Sequence, residues 1–236
     1  MSDRFTTWNL PPPPGFRGFD DQREVTIYRR RLPHWRQDGA TYFVTYRLGD
    51  SLPAARLREL DALWADWARL HPPPRSRAAW ERITRARAAR IERWLDELHG
   101  SCLLAQQQCA EEVVQAMRYF DGRRYELASY VVMPNHVHAL VTPTQPKRHP
   151  LERIVGGWKQ RSSSQIGIAA QTDNDERGGL WQRETHDGIV RDEEHLYRVL
   201  RYIGNNPSKA GLAREACLAW VRPDWQRAGW TFDMVV

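Results

Sequence analysis

The stretch "VVMPNHVHAL", beginning at Val131, sets His136 and His138 two positions apart inside an otherwise apolar run. In a strand, residues i and i+2 leave from the same face, so both imidazoles point one way and Val137 the other. Two neutral imidazoles on a rigid strand make half of a divalent-metal site. The plainer alternative is one buried, hydrogen-bonded histidine and one at the surface, and the tripeptide alone does not separate the two. A second pair lies near the C-terminus. In "RYIGNN", Tyr202 and Asn206 are four apart and share one face of a helix. Asparagine offers a carbonyl oxygen, a hard ligand suited to Mg²⁺ or Mn²⁺. Tyrosine offers a phenol that becomes a nucleophile once deprotonated beside a metal-polarised phosphate. Taken alone, Tyr202 reads as a core or surface helix residue; the pair gains meaning only together with the histidines.

Positioning these four side chains requires a strand and a helix brought face to face. "RYELASYVVMPNHVHALVTP" has strand character on both sides of "MPN", where Pro134 and Asn135 favour a tight turn between two antiparallel strands. "DEEHLYRVLRYIGNN" reads as a helix with acidic residues at its start, stopped by Pro207. "GATYFVTYRL" reads as a strand over about residues 40 to 48. Between them lie "SLPAARLRELDALWADWARL", with Ser51 as its N-cap, and "RAAWERITRARAARIERWLDELHG", ending at Gly100. Together these make a helical hairpin whose Trp64, Trp67, Trp80 and Trp94 serve to pack its two helices together. "CAEEVVQAMRYFDG" and "LERIVGGWKQRSSSQI" add two helices, and "LWQRETHDGIVRD" adds a short strand. The expected fold is α+β: a central antiparallel sheet with helices packed on it, ferredoxin-like, with the helical hairpin inserted. The expected division is a flexible proline-containing arm (1–27), a main domain (28–212) with its insertion at about 52–99, and a C-terminal tail (213–236) that packs irregularly.

The chain has 236 residues, 41% hydrophobic and 27% charged, ordinary for a globular protein. Its 35 Lys+Arg against 29 Asp+Glu favour a polyanionic partner without establishing one. Three widely spaced cysteines, Cys102, Cys109 and Cys217, show no paired metal spacing and read as free thiols in a reducing compartment. No run approaches the roughly 20 apolar residues of a membrane span, and the N-terminus has no apolar signal core. A cytoplasmic location follows as the expectation.

The blocks "VVMPNHVHALV", "WQRETHDGIVRDEEHL" and "RYIGNNPSKAGL", with "RRRLPHW", "GATYFVTYRL" and "DSLP" ahead of them, strongly resemble the HUH single-tyrosine transposases, and among these the REP-associated tyrosine transposases. The resemblance runs from about Tyr28 to Leu212. It implies one divalent cation, Mg²⁺ or Mn²⁺, held by His136, His138 and Asn206, with Tyr202 attacking a scissile phosphate to leave a 5′-phosphotyrosine and a free 3′-OH. The implied substrate is single-stranded DNA folded into the hairpins of repetitive extragenic palindromes, with no nucleotide cofactor and no membrane partner, and the implied location is the bacterial cytoplasm, nucleoid-associated when DNA is bound. The oligomeric state stays open between monomer and homodimer.

Arg29, Arg30, Arg31 and Arg36 read as phosphate contacts or as a solvated basic arm, and Lys159 and Arg161 as DNA contacts or plain helix-surface charges. Asp187 reads as a second-sphere acceptor for a metal-site histidine or as a structural ion pair. Asn135 shapes the turn before His136, His186 and His195 are surface histidines, and Trp35 is a core residue or a stacking platform. Gly204 softens the helix that carries Tyr202, at about 1 kcal/mol relative to alanine. Two rival functions remain: a domesticated, non-catalytic DNA-binding protein, and a metal hydrolase acting on small molecules.

Overall fold

The computed structural model describes residues 10–29, 33–169 and 179–234. Thr26–Arg29 (β1) and Pro33–Arg36 (β2) pair as a two-stranded antiparallel ribbon. The main sheet begins with Tyr42–Arg47 (β3) and continues with Tyr125–Val132 (β4) and His136–Pro143 (β5), joined by the tight turn at Pro134 and Asn135. His186–Ile189 (β6) and Leu218–Val221 (β7) close its edges, giving the all-antiparallel order β6-β3-β5-β4-β7.

Along β5 the period of two sorts side chains between two cores. Val137, Ala139 and Val141 join the cluster formed with Gln107–Arg118 and Leu151–Ala169, two helices that pack on each other over one face. His136, His138 and Leu140 take the other face, where Leu140 meets Leu196, Leu200 and Ile203 of the helix Glu193–Lys209. Every residue of β5 is buried, so two imidazoles in that run must find polar partners inside the protein. In chain order the helices are Ala54–Leu70 (α1), Arg77–Leu95 (α2), Gln107–Arg118 (α3), Leu151–Ala169 (α4), Glu193–Lys209 (α5) and Pro223–Arg227 (α6). The sequence β3-α3-β4-β5-α4-β6 is the split βαβ plan, with α1 and α2 inserted after β3. The architecture is the expected α+β class.

The inserted hairpin holds together as its tryptophans suggested. Trp67 and Trp80 ring centroids lie 4.9 Å apart and Trp64 and Trp80 5.7 Å, while Trp94 packs with Leu52, Leu60 and Leu95. Ser51 does not cap α1: Pro53 occupies that position, and the Ser51 hydroxyl donates to the Leu48 carbonyl while accepting from Arg47.

Four other expectations differ from the structure. The proline run is not a detached arm over its described residues, because the Trp225 and Trp230 indoles donate to the Pro14 and Pro11 carbonyls and Phe16 packs edge-on against Trp225. The C-terminal segment is not irregular: Leu218–Val221 pairs with β4, and Trp225 and Trp230 are fully buried beneath α5. Helix α5 runs through Pro207 to Lys209, since only the Ile203 carbonyl loses its donor and Ala210 N–H closes the last turn on Asn206 and Pro207. Gly204 is a packing requirement, because a Cβ there would lie 2.5 Å from Phe232 Cβ.

Candidate active site

Strand β5 and helix α5 bring three lone-pair donors to one point. His136 Nε2 and His138 Nε2 are 3.0 Å apart, and Asn206 Oδ1 lies 3.3 Å from each. All three residues are fully buried. Their hydrogen-bond partners determine which atoms carry protons. Asn135 Nδ2 donates to the Leu95 and His99 carbonyls, so its Oδ1 faces His136 Nδ1 at 2.7 Å and accepts the proton there. Thr45, directly opposite His138 in the β3–β5 register, donates its hydroxyl to Glu92 Oε1 at 3.3 Å and accepts from His138 Nδ1 at 2.8 Å. Asn206 Nδ2 donates to the Tyr202 carbonyl, one turn back, which turns its oxygen inward. Each Nε2 is therefore left with a lone pair. Burial, the larger cause, and the neighbouring imidazole lower the His136 pKa to about 3; burial likewise lowers that of His138 to about 3.

Three acceptors facing one another without a donor between them are costly in a buried site. A cation answers that arrangement. Octahedral Mg²⁺ holds its ligands at about 2.0–2.1 Å, which separates adjacent ligands by about 3.0 Å; the observed 3.0, 3.3 and 3.3 Å match that edge. Among the described residues no three His, Cys, Asp or Glu side chains gather around a metal position, so the asparagine is essential to this reading.

Tyr202 stands one turn before Asn206 on the same helix. Its ring meets Phe43 edge-on at 5.9 Å and His138 at 5.2 Å, and Lys209 Nζ sits 4.0 Å from its centroid. Its hydroxyl donates to Glu92 Oε2, on α2. Burial first, then the Glu92 charge, push the phenol pKa well above its usual value. A cleft of about 240 Å³ opens beside the site between the inserted hairpin and the sheet edge, lined by Thr45, Arg47, Arg87 and Glu92. Arg47 is nearly buried, and burial, followed by the Arg87 charge, lowers its pKa to about 10, so it remains a cation at neutral pH.

The other residues singled out from the sequence fall elsewhere. Asp187 is not a partner of His136 or His138: it binds His34 Nδ1 at 2.7 Å and Arg36 at 2.5 Å on the far side of β3. The orienting acceptors are Asn135 and Thr45 instead. Arg36 is buried in that ion pair and in one with Glu152, which leaves its guanidinium committed within the protein. Lys159 and Arg161 ride on α4, across the sheet from the histidines. Lys159 donates to the Gln182 carbonyl and Thr185 hydroxyl, each at 2.8 Å, and the Arg161 guanidinium lies 3.8 Å from the Tyr119 ring centroid. Arg29 lies on β1, and Arg30 and Arg31 lie outside the described residues. Glu92 and Lys209 escaped the sequence reading, as did the orienting roles of Thr45 and Asn135. A polar residue in a strand directly beside a buried histidine was the available signal for Thr45; nothing local marked Glu92.

Residues 103–206 match the family described as "Transposase IS200 like". That segment contains His136, His138, Tyr202 and Asn206; it takes in "VVMPNHVHALV", "WQRETHDGIVRDEEHL" and the "RYIGNN" part of the last motif, while the motifs ahead of residue 103 lie outside it. An uncharacterized protein of Haemophilus influenzae (strain KW20 / Rd) is 28% identical over 94 residues, covering 33% of this chain and 52% of the relative, so the chain spans about half that relative's length. A solved structure of the REP-associated tyrosine transposase bound to a REP hairpin is 16% identical with a TM-score of 0.34, over 80% of this chain and 76% of that one.

Proposed function

We propose that this chain is a DNA strand transferase that cleaves and rejoins single-stranded hairpin DNA of the repetitive extragenic palindrome type through a 5′-phosphotyrosine on Tyr202. The observation that supports it most is the convergence of His136 Nε2, His138 Nε2 and Asn206 Oδ1 beside a tyrosine on the same helix turn. Mg²⁺ or Mn²⁺ bound by these three atoms would polarise the scissile phosphate and orient it. Tyr202 Oη attacks phosphorus in line, the bond to the 3′ oxygen breaks, and the strand's 5′ end stays on the enzyme. The phosphoester is conserved in that bond, so a 3′-OH can later displace the tyrosine and rejoin the strand without ATP. Lys209 over the Tyr202 ring and Arg47 at the cleft supply positive charge where a phosphodiester and a phenolate must coexist.

A non-catalytic DNA-binding role would need neither a phenol beside the donors nor three inward lone pairs. A small-molecule metal hydrolase would leave the cations at the cleft without a purpose. The test is to incubate the purified protein with Mn²⁺ and labelled single-stranded hairpins taken from repeats flanking its own gene. A covalent adduct is expected with wild type, and none with Tyr202→Phe or with EDTA. Tight binding without an adduct, for both strands and both metals, would instead establish the binding-protein reading.

A further inference from the structure

Glu92 is 110 residues from Tyr202 in sequence, on a hairpin that interrupts the split βαβ plan, yet its carboxylate touches the reacting atom. Oε2 accepts the hydrogen bond of Tyr202 Oη, Oε1 accepts that of Thr45 at 3.3 Å, and Oε2 lies 3.5 Å from His138 Nε2. Among the described residues no arginine or lysine forms an ion pair with Glu92, so a structural ion pair does not account for its position. Its side chain is 20% exposed and lines the cleft, next to where a substrate phosphate would enter. The phenol must lose its proton to attack phosphorus, and Glu92 is the carboxylate within hydrogen-bond reach of it.

Resting on the function proposed above, we propose that Glu92 is a catalytic residue, the proton acceptor for Tyr202 in cleavage and the proton donor in rejoining. As the Oη–P bond forms and the P–O3′ bond breaks, the phenolic proton passes to the Glu92 carboxylate and the departing 3′ oxygen takes a proton from water. In rejoining, the 3′-OH attacks the phosphotyrosine and gives its proton to water, the Oη–P bond breaks, and Glu92 returns a proton to the phenolate. The inserted hairpin thereby completes the active site.

The experiment measures single-turnover adduct formation by the full chain with Mn²⁺ and hairpin DNA, for wild type, Glu92→Gln and Glu92→Ala. Thermal melting, Mn²⁺ affinity and hairpin affinity are measured alongside. Glu92→Gln keeps the shape and a hydrogen bond but cannot take the proton, and is expected to slow adduct formation by about 10²–10⁴-fold. Melting temperature and both affinities should stay near wild type, and added formate should restore part of the rate to Glu92→Ala. Three results overturn the proposal: Glu92→Gln reacting at the wild-type rate; Glu92→Gln reacting faster, which makes the carboxylate a restraint on Tyr202; or a slow rate matched by an equal loss of Mn²⁺ affinity. A wild type that forms no adduct overturns the function itself, and this role with it.

Discussion

Replacing Thr45 with valine removes one hydroxyl from a buried strand position while keeping the β-branched shape. That hydroxyl accepts the His138 Nδ1 proton at 2.8 Å and thereby holds the lone pair on Nε2. Without it the imidazole has two choices. It can keep its proton on Nδ1, unpaired and fully buried, at a cost of about 1–3 kcal/mol. Or it can move the proton to Nε2, where Asn206 Oδ1 at 3.3 Å and His136 Nε2 at 3.0 Å are ready acceptors. The second choice preserves the metal-free fold but blocks the nitrogen proposed to bind the metal. Binding a cation then requires reversing the shift, and at about 1.4 kcal/mol per tenfold the penalty of 1–3 kcal/mol weakens Mn²⁺ binding by about 5- to 150-fold. Orienting residues around metal ligands generally have effects of about 10–100-fold. Titration calorimetry with Mn²⁺ on wild type, Thr45→Val and Thr45→Ser measures this directly, with urea unfolding of the metal-free proteins as the control. Thr45→Val should bind about 5- to 150-fold more weakly with little change in metal-free stability, and Thr45→Ser should recover most of the affinity. Valine binding within about threefold of wild type, or serine no better than valine, would refute the tautomer argument.

Gly204→Ala should destabilise the fold by about 1–3 kcal/mol through its overlap with Phe232, outweighing the roughly 1 kcal/mol that alanine gains in a helix; urea unfolding that shows a gain would contradict the packing account. For Asp187, burial works to raise the pKa, but the His34 hydrogen bond and the Arg36 charge outweigh it and hold it at about 2. A folded value below the ordinary 3.8 stabilises the fold above about pH 4. This contribution, about 2 kcal/mol, is lost as pH falls from about 4 towards 2. Asp187→Asn should therefore start less stable and show a flatter acid limb in urea midpoints, and identical slopes would remove the argument.

The sequence revealed the parts of this molecule that follow a short period. A two-residue alternation in β5 and a four-residue spacing in α5 place His136, His138, Tyr202 and Asn206 on definite faces, and the structure brings those faces together. What sequence spacing does not contain is pairing register. Thr45 stands opposite His138 only because β3 and β5 align Tyr42 with Val141, and Asp187 misses the histidines because β6 pairs on the other edge of β3. Glu92 was unreadable for the same reason at longer range: a glutamate among the arginines of a polar helix looks solvated until the hairpin folds back onto α5. Strand β7 escaped because four residues, half-buried at an edge, carry almost no periodic signal.

The proposed function stands on covalent linkage of Tyr202 to a 5′ phosphate beside the three inward-facing donors. The measurement that tests it most directly is mass spectrometry of the nuclease-trimmed, protease-digested product of wild-type protein, Mn²⁺ and a single-stranded hairpin. A phosphonucleotide is expected on the peptide that contains "YIGNN", attached at Tyr202, and none when Mn²⁺ is omitted. A nucleotide on Tyr197, whose hydroxyl instead accepts from Arg201 at 3.0 Å on the same helix, or no modified peptide at all, would contradict it.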